Sequence, residues 1–313
     1  MTSKKPIAQH RFDTPYLSIC CVTYNHVAFI RTAIEGFLRQ ETDFPVEVLI
    51  HDDCSTDGTR EIVQFFADRH PNLIRLSLPD QNQYSRGIAI MSNLRSKARG
   101  AFIALCEGDD YWSDPTKLQK QVDYLRGHPE CVITGHDYIG IYADGRTLSS
   151  EDQRRLFGAS SMPNRDLTAL ELKTGAIMSR TCTRVFRNIM MDTPPEKDKV
   201  LGGDMFLSSL FGQHGSYHHV QGLAPSAYRV HDGGVWNGLS IERRQKEALN
   251  TFYWMYVYYQ RIGDSEVAGI LARRQSNLKR RIMRDRMIRR LHPVLSPARA
   301  LWRRLYNCLS QSE

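Results

Sequence analysis

Residues 102–110 read FIALCEGDD, a short apolar run that ends abruptly in an acidic turn. A run of this length and composition predicts a buried strand, and the turn after it contains three carboxylates within four residues. Adjacent carboxylates repel one another, so they are stable together where a cation or a substrate separates them. Oxygen ligands of this kind suit Mg²⁺ or Mn²⁺ bound to a diphosphate. The segment predicts a strand that ends at a cation-binding turn.

Working outward, other apolar runs also end in polar residues. Residues 17–23 and 46–51 predict strands followed by Tyr24-Asn25 and by Asp52-Asp53, and helical spacing of apolar residues follows each turn. Further strands are predicted at 73–78 and 131–142, with helices around 88–98 and 113–126. Strands that alternate with helices predict a parallel sheet covered on both faces, which is a three-layer α/β/α fold. Ligands of such sheets bind at the carboxyl ends of the strands.

Each acidic turn also has a purely structural interpretation. Asp52 and Asp53 are equally consistent with a solvated turn that caps the next helix, and the turn at 107–110 is consistent with an isolated acidic loop. The combination of both turns in this order is far more specific than either one.

With these residues in view, the sequence resembles glycosyltransferase family 2, a GT-A family of nucleotide-sugar transferases. The resemblance lies in TYN at 23–25, DDCSTDGT at 52–59 and GAFIALCEGDDYWSDPTKL at 100–118. It implies a Rossmann-like GT-A catalytic domain over residues 12–240, followed by a helical, basic extension over residues 241–313. It also implies inverting, metal-dependent transfer from a nucleotide sugar, with a UDP-sugar as the expected donor.

The resemblance assigns donor-binding roles to residues at the first two strand ends. Tyr24 is expected to stack on the nucleotide base and Asp53 to accept a hydrogen bond from it, with Thr23 and Asn25 beside them. Arg86, in a loop after the third predicted strand, is a candidate for the donor phosphates, although a solvated loop arginine explains it equally well.

The cation site is expected where the acidic turn meets a later histidine. Glu107, Asp109 and Asp110 take the position of the family's D-x-D motif, and the glutamate at the first position is a departure. We therefore expect Asp109 and Asp110 to bind the metal, and Glu107 to contact the ribose or a metal-bound water. His231 precedes two nearby glycines and is expected to bind the metal or the diphosphate, with Arg229 pairing with phosphate.

Asp204 is the candidate catalytic residue, although an acid at a loop-to-helix junction is also typical of a helix cap. In the family an acid at such a position is the general base. Inversion at the anomeric carbon is a single displacement by an acceptor hydroxyl, whose proton needs an acceptor.

Charge is distributed unevenly along the chain. The formal net charge is +8, yet residues 273–313 contain 12 Lys and Arg against two acids. A last segment with Trp302 and leucines opposite arginines, expected after a helix break at His292-Pro293, suits an amphipathic helix on an anionic membrane. This suggests a cytoplasmic enzyme attached to the inner face of the membrane, acting on a glycan or lipid-linked glycan of the bacterial cell surface.

Several classes are disfavoured by the sequence. No apolar run approaches the roughly 18 to 20 residues that cross a bilayer, and the N-terminus contains no signal-peptide pattern. Seven cysteines without a C-x-x-C pair argue against a disulfide framework or a zinc ribbon. Without a Q-x-x-R-W element, transfer of a single sugar per encounter is expected.

Two other functions remain open at this point. A nucleic-acid- or membrane-binding protein could act through the basic tail, but the near-neutral remainder does not support nucleic-acid binding. A sugar nucleotidyltransferase would be expected to contain a glycine-rich, arginine-containing loop after its first strand, and residues 24–27, YNHV, do not form one.

Overall fold

The computed structural model describes residues 5–7, 14–157, 164–176, 180–189, 193–201, 203–231, 233–234 and 239–309. The chain divides into two units, one formed by Met1–Thr193 with Asp204–Leu239 and the other by Pro194–Gly203 with Ser240–Glu313. The first unit contains the strands and every candidate site residue, and the second is helical. No helix among the described residues is long and apolar enough to cross a membrane.

The described part of the first unit contains short strands separated by helices. The strands are β1 Lys5–Pro6, β2 Leu17–Thr23, β3 Glu41–Thr42, β4 Val46–Asp52, β5 Ile74–Ser77, β6 Phe102–Leu105, β7 Cys131–Gly135, β8 Tyr138–Tyr142, β9 Val185–Arg187, β10 Ser216–His219 and β11 Ser226–Val230. The helices are α1 Ile30–Leu38, α2 Thr59–Arg69, α3 Ile90–Arg95, α4 Lys117–Gly127, α5 Ser150–Phe157, α6 Ala169–Lys173 and α7 Gly203–Phe211.

Seven strands form the central sheet, in the order β10-β7-β9-β6-β2-β4-β5. β2 pairs in parallel with β4 on one side and with β6 on the other, and Thr23 lies opposite Asp52. The predicted parallel arrangement is therefore correct for β5, β4, β2 and β6. It is wrong at β9, which runs antiparallel to both β6 and β7, because this three-residue strand lies in the segment that has no clear periodicity.

Apolar side chains cover both faces of this sheet. In β2, Ile19 and Cys21 are buried in one core cluster and Cys20 is buried in the other. The first cluster includes residues of α1, α2 and α4, and the second includes residues of α3, α6 and α7. Burial on both faces explains why these strands are continuous apolar runs rather than alternating ones.

The predicted strand at 131–142 is two strands in the structure. β7 belongs to the central sheet, whereas β8 pairs in parallel with β11 in a separate two-stranded sheet. The chain leaves the central sheet at His136-Asp137, and an apolar run by itself does not indicate such a change of partner.

The second unit contains two long helices, α8 Ile241–Arg261 and α9 Ser265–Leu309. The Ser240 hydroxyl accepts a hydrogen bond from the Arg243 N–H at the start of α8. The backbone of α9 continues past His292-Pro293, so the predicted helix break is wrong. A proline removes one helical hydrogen bond, but a long helix can continue through it.

Candidate active site

Three strand ends meet at one edge of the central sheet. The backbone N–H of Asp53 donates to the Thr23 carbonyl over 2.9 Å, and the N–H of Gly108 donates to the Val22 carbonyl over 2.9 Å. A Cβ at position 108 would lie 2.5 Å from Thr23 Oγ1. Glycine at this position is what allows the acidic turn to lie against the end of β2.

The loop after β2 is held against the loop after β4. Asn25 has a left-handed backbone with φ of 52°, which asparagine tolerates better than most residues. Its N–H donates to Ser55 Oγ, and its Oδ1 accepts the Thr56 N–H, both over 2.9 Å. Tyr24 beside it is 46% exposed. The expected base-stacking residue thus lies on an ordered loop with its ring accessible.

Asp53 is buried, and its carboxylate holds the segment that follows β5. The backbone N–H groups of Gln83 and Tyr84 donate to the two carboxylate oxygens over 2.7 and 3.0 Å. Arg86 is exposed nearby and donates to Gln81 Oε1 over 2.8 Å. Asp53 therefore positions the loop on which Arg86 lies. A direct contact of Asp53 with the base, and of Arg86 with phosphate, both stay predictions.

The acids of the turn after β6 differ in the direction of their pKa shifts. Burial, with repulsion from Asp109 and Asp204, raises the pKa of Glu107 to about 8, so this carboxyl is protonated at neutral pH. Burial, with repulsion from Asp109 and Glu107, raises the pKa of Asp110 well above its ordinary value. Burial acts on Asp109 in the same direction, but the hydrogen bond with His231 and the nearby His26 hold its pKa below the ordinary value. The pKa is thus raised for Glu107 and Asp110 and lowered for Asp109.

Two histidines face the Asp109 carboxylate. His231 Nε2 lies 3.0 Å from Asp109 Oδ2, and His26 Nε2 lies 4.0 Å from the same oxygen. One potential ligand atom from each of the three side chains lies within 4.8 Å of the other two. We call these three residues the His–Asp–His cluster. Burial lowers the pKa of His26, which keeps its imidazole in the neutral form that binds metals.

Strand β11 brings His231 to the acidic turn. Tyr111 and Ala227 exchange backbone hydrogen bonds of 3.2 and 2.9 Å, which fixes β11 beside residues 109–111. In consequence the Arg229 N–H donates to Asp110 Oδ1 over 2.8 Å, and Arg229 Nε donates to the Asp109 carbonyl over 2.9 Å. Arg229 and Asp110 thus stabilise the turn from outside the cluster. Phosphate pairing by Arg229 and metal binding by Asp110 stay predictions.

His26 is the site residue that the sequence reasoning missed. The backbone N–H of His26 donates to Thr59 Oγ1 over 2.8 Å, so the start of α2 fixes the loop that contains His26. The one available signal was a histidine in a loop that follows a central strand, two residues after the candidate base-stacking tyrosine.

Asp204 lies exposed at the start of α7. Its Oδ2 accepts a hydrogen bond from Thr181 Oγ1 over 3.1 Å. Asp204 also contributes to the raised pKa of Glu107, so it lies near the acidic turn. Gly202, two residues before Asp204, and residues 232 and 235–238, which follow His231, lie outside the described residues.

The residues present fit a divalent cation. Two imidazoles and one carboxylate are typical metal ligands, and Nδ1 of His26 is buried with no hydrogen-bond partner among the described residues. Asp109 and His231, two of the three residues predicted to bind metal, lie in the cluster.

Comparisons with known proteins show what the chain is similar to. The model of the family described as "Glycosyl transferase family 2" matches residues 18–192, which is more than half of the chain. An uncharacterized protein of Mycobacterium tuberculosis is 36% identical over 233 residues, covering 73% of this chain and 63% of that protein. The chain thus spans less than two thirds of the length of this relative.

A relative with a named activity covers less of the chain. The Escherichia coli protein WfaP, named UDP-Glc:alpha-D-GlcNAc-diphosphoundecaprenol beta-1,3-glucosyltransferase, is 34% identical over 110 residues, which is 35% of this chain and 41% of WfaP. Among solved structures, S. aureus TarS 1-349 in complex with UDP-GlcNAc is similar, with a TM-score of 0.55 and 18% identity over 77% of this chain and 65% of that one. The predicted α/β fold of GT-A type is confirmed.

Proposed function

We propose a reaction for this protein on the basis that the chain belongs to glycosyl transferase family 2 and is a glycosyltransferase. On this premise the enzyme transfers one sugar per encounter from a nucleotide-sugar donor to a glycan or lipid-linked glycan. The transfer is metal-dependent and inverts the anomeric carbon. Family membership favours this reaction over the nucleic-acid-binding and nucleotidyltransferase alternatives.

The observation that supports the proposal best is the position of the His–Asp–His cluster relative to Asp204. The cluster lies at the carboxyl ends of β2 and β6, where ligands of such sheets bind. Glu107 is repelled by Asp109 in the cluster and by Asp204 at the start of α7. This repulsion supports a candidate base close to the proposed cation site.

The donor is assigned to the loops beside the cluster. Tyr24 stacks on the base from an accessible position. Thr23, Asn25 and Asp53 form the surroundings of the bound base. TarS, which shares the fold, was solved with UDP-GlcNAc, and WfaP is named for a UDP-sugar. These two names favour a UDP-sugar donor.

Asp204 is the general base of the proposed reaction. Its exposed carboxylate takes the proton of the attacking acceptor hydroxyl. The Thr181 hydroxyl donates to Oδ2, so we assign the proton transfer to Oδ1. Asp109 and His231 hold Mn²⁺ or Mg²⁺ beside the donor. A bound divalent cation supplies neutralisation of the charge that develops on the leaving diphosphate, so no protein acid is needed.

The acceptor class follows from the named relative and the basic tail. WfaP is named for a diphosphoundecaprenol-linked acceptor, and we assign this chain a glycan acceptor of the same kind in bacterial cell-surface polysaccharide synthesis. The 12 Lys and Arg of residues 273–313 hold the enzyme on the anionic inner face of the cytoplasmic membrane.

Vesicle flotation tests the membrane assignment. The full chain is expected to float with anionic vesicles at low salt, and a variant in which the arginines between 279 and 290 are replaced by glutamine is expected to remain at the bottom. Equal flotation of the two proteins would refute the role of the tail.

Thermal stabilisation tests the donor and the metal together. The purified protein is melted with a panel of nucleotides and nucleotide sugars, each with and without Mn²⁺. A ligand that binds the native state raises the melting temperature by mass action, so no acceptor need be known. We expect a metal-dependent rise with UDP and its sugars; the absence of a rise with every nucleotide would contradict the proposal.

A further inference from the structure

We infer that His26 is a third protein ligand of the cation, so that the complete His–Asp–His cluster forms a site that favours Mn²⁺ or a related transition metal over Mg²⁺. The inference rests on the proposed function, since it concerns the same cation. It adds a ligand from the nucleotide-binding loop and a metal preference.

The distances in the cluster are close to those that one cation needs. Bonds from imidazole nitrogen or carboxylate oxygen to such metals are about 2.1 Å long, so neighbouring donor atoms around one ion are about 3.0–3.5 Å apart. His231 Nε2 lies 3.0 Å from Asp109 Oδ2. His26 Nε2 lies 4.0 Å from the same oxygen, about 0.5–1.0 Å more than that separation.

His26 has no other partner that explains its burial. Nδ1 is buried without a hydrogen-bond partner among the described residues, and 4.0 Å from Nε2 to Asp109 is too long for a hydrogen bond. The His231 ring packs edge-on against the His26 ring, with centroids 5.6 Å apart. A cation among the three side chains would give Nε2 of His26 a partner.

The composition of the cluster determines the metal preference. Mg²⁺ binds mainly oxygen ligands and keeps several waters, whereas imidazole suits transition metals. A cation site with two nitrogen ligands is therefore expected to discriminate against Mg²⁺. Because His26 is two residues after Tyr24, the same loop contacts the base and the cation.

Pulsed electron paramagnetic resonance of bound Mn²⁺ tests this ligand directly. The spectra are recorded with UDP present for the wild type, His26→Gln and His231→Gln, with the exposed His214→Gln as the matched control. We expect nitrogen couplings from two imidazoles in the wild type and in His214→Gln, and from one in each of the other two variants. Titration should show Mn²⁺ affinity reduced roughly 10- to 100-fold in His26→Gln, with Mg²⁺ competing better than it does in the wild type.

The outcomes separate this inference from the proposed function. If His26→Gln keeps both nitrogen couplings and wild-type Mn²⁺ affinity while His231→Gln loses one, the third ligand is refuted and the proposed cation site stands. If the wild type binds no Mn²⁺ with UDP, both are refuted. If His26→Gln does not fold, the wild-type spectrum decides alone, since a single coupled imidazole overturns the inference.

Discussion

The acidic turn after β6 and the start of α7 contain acids of the same kind in opposite surroundings. Glu107, Asp109 and Asp110 are enclosed by strand ends, and burial with mutual repulsion raises the pKa of Glu107 and of Asp110. Asp204 is exposed and accepts a hydrogen bond from the Thr181 hydroxyl. The enclosed acids suit a fixed cation site, whereas the exposed acid is accessible to an acceptor hydroxyl that arrives from solution or from a membrane. The difference suggests that donor binding and proton removal can be disrupted separately.

The largest expected effect is the loss of turnover when the exposed acid, Asp204, is changed. Asp204→Asn keeps the shape of the side chain and removes the base, so we expect turnover to fall roughly 10²- to 10⁴-fold, the usual contribution of general base catalysis. Stabilisation by UDP with Mn²⁺ should be unchanged. Asp68→Asn, an exposed acid on α2, is the matched control and should behave as wild type. Wild-type turnover in Asp204→Asn would show that another group removes the proton.

A second buried ionisable group, Lys117, lies at the start of α4. The amine of the fully buried Lys117 lies 4.2 Å from the centre of the Trp112 ring and has no hydrogen-bond partner among the described residues. Burial lowers the pKa of Lys117 from 10.5 to about 7. A displacement of this size corresponds to at most about 5 kcal/mol of lost stability at neutral pH.

Lys117→Met should therefore stabilise the protein. Below pH 7 the amine is charged in both states and the cost of burying it is fully present. Between pH 7 and 10.5 the unfolded chain binds the proton and the folded one does not, so the cost declines as the pH rises. We expect a gain of about 2–4 kcal/mol near pH 7 that shrinks toward pH 10, measured by urea unfolding.

The exposed Lys120 on the same helix provides the control for this test. Its amine donates to the Gly222 carbonyl over 2.9 Å, and Lys120→Met should change stability by less than about 1 kcal/mol. A pH-independent effect of Lys117→Met would mean that the amine is charged in the folded protein throughout this range.

Asp109→Asn should weaken the cation site without unfolding the turn. Loss of the one charged carboxylate of the cluster is expected to reduce Mn²⁺ affinity by roughly 10- to 100-fold and to remove the metal-dependent part of the UDP-induced stabilisation. Asp110→Asn is the informative comparison, since the asparagine oxygen can still accept the Arg229 N–H. Equal losses in both variants would restore Asp110 as a metal ligand.

The central strands were predictable because they are buried on both faces and read as continuous apolar runs. β2, β4 and β6 were placed within a residue or two, and with them the strand ends that bear Thr23 and Asp53. β9 was missed because a three-residue strand makes too short a pattern. Its antiparallel insertion is decided by the strands on either side of it, which a local pattern does not contain.

The site also contains residues that the sequence predicted and one that it did not. Asp109 and His231 were found through motifs, but the cluster exists because β11 pairs with residues at the acidic turn about 120 positions earlier in the chain. His26 has no spacing signal of its own, since its neighbours in space come from other elements. Pairing between distant segments, which creates the site, is the information that local patterns lack.

The smallest expected effect concerns the one side-chain contact that holds the exposed acid. Thr181→Val removes the hydroxyl that donates to Asp204 Oδ2, and a single such hydrogen bond contributes about 0.5–1.5 kcal/mol, so kcat should fall roughly 2- to 10-fold. If Thr181 only positions the base, KM for the donor and Mn²⁺ affinity stay unchanged, the pH dependence of kcat shifts with the altered carboxylate, and Thr181→Ser restores the rate. A larger loss than in Asp204→Asn would instead mean that Thr181 contacts the substrate itself, and the comparison between a fixed donor side and an open acceptor side would have to include it.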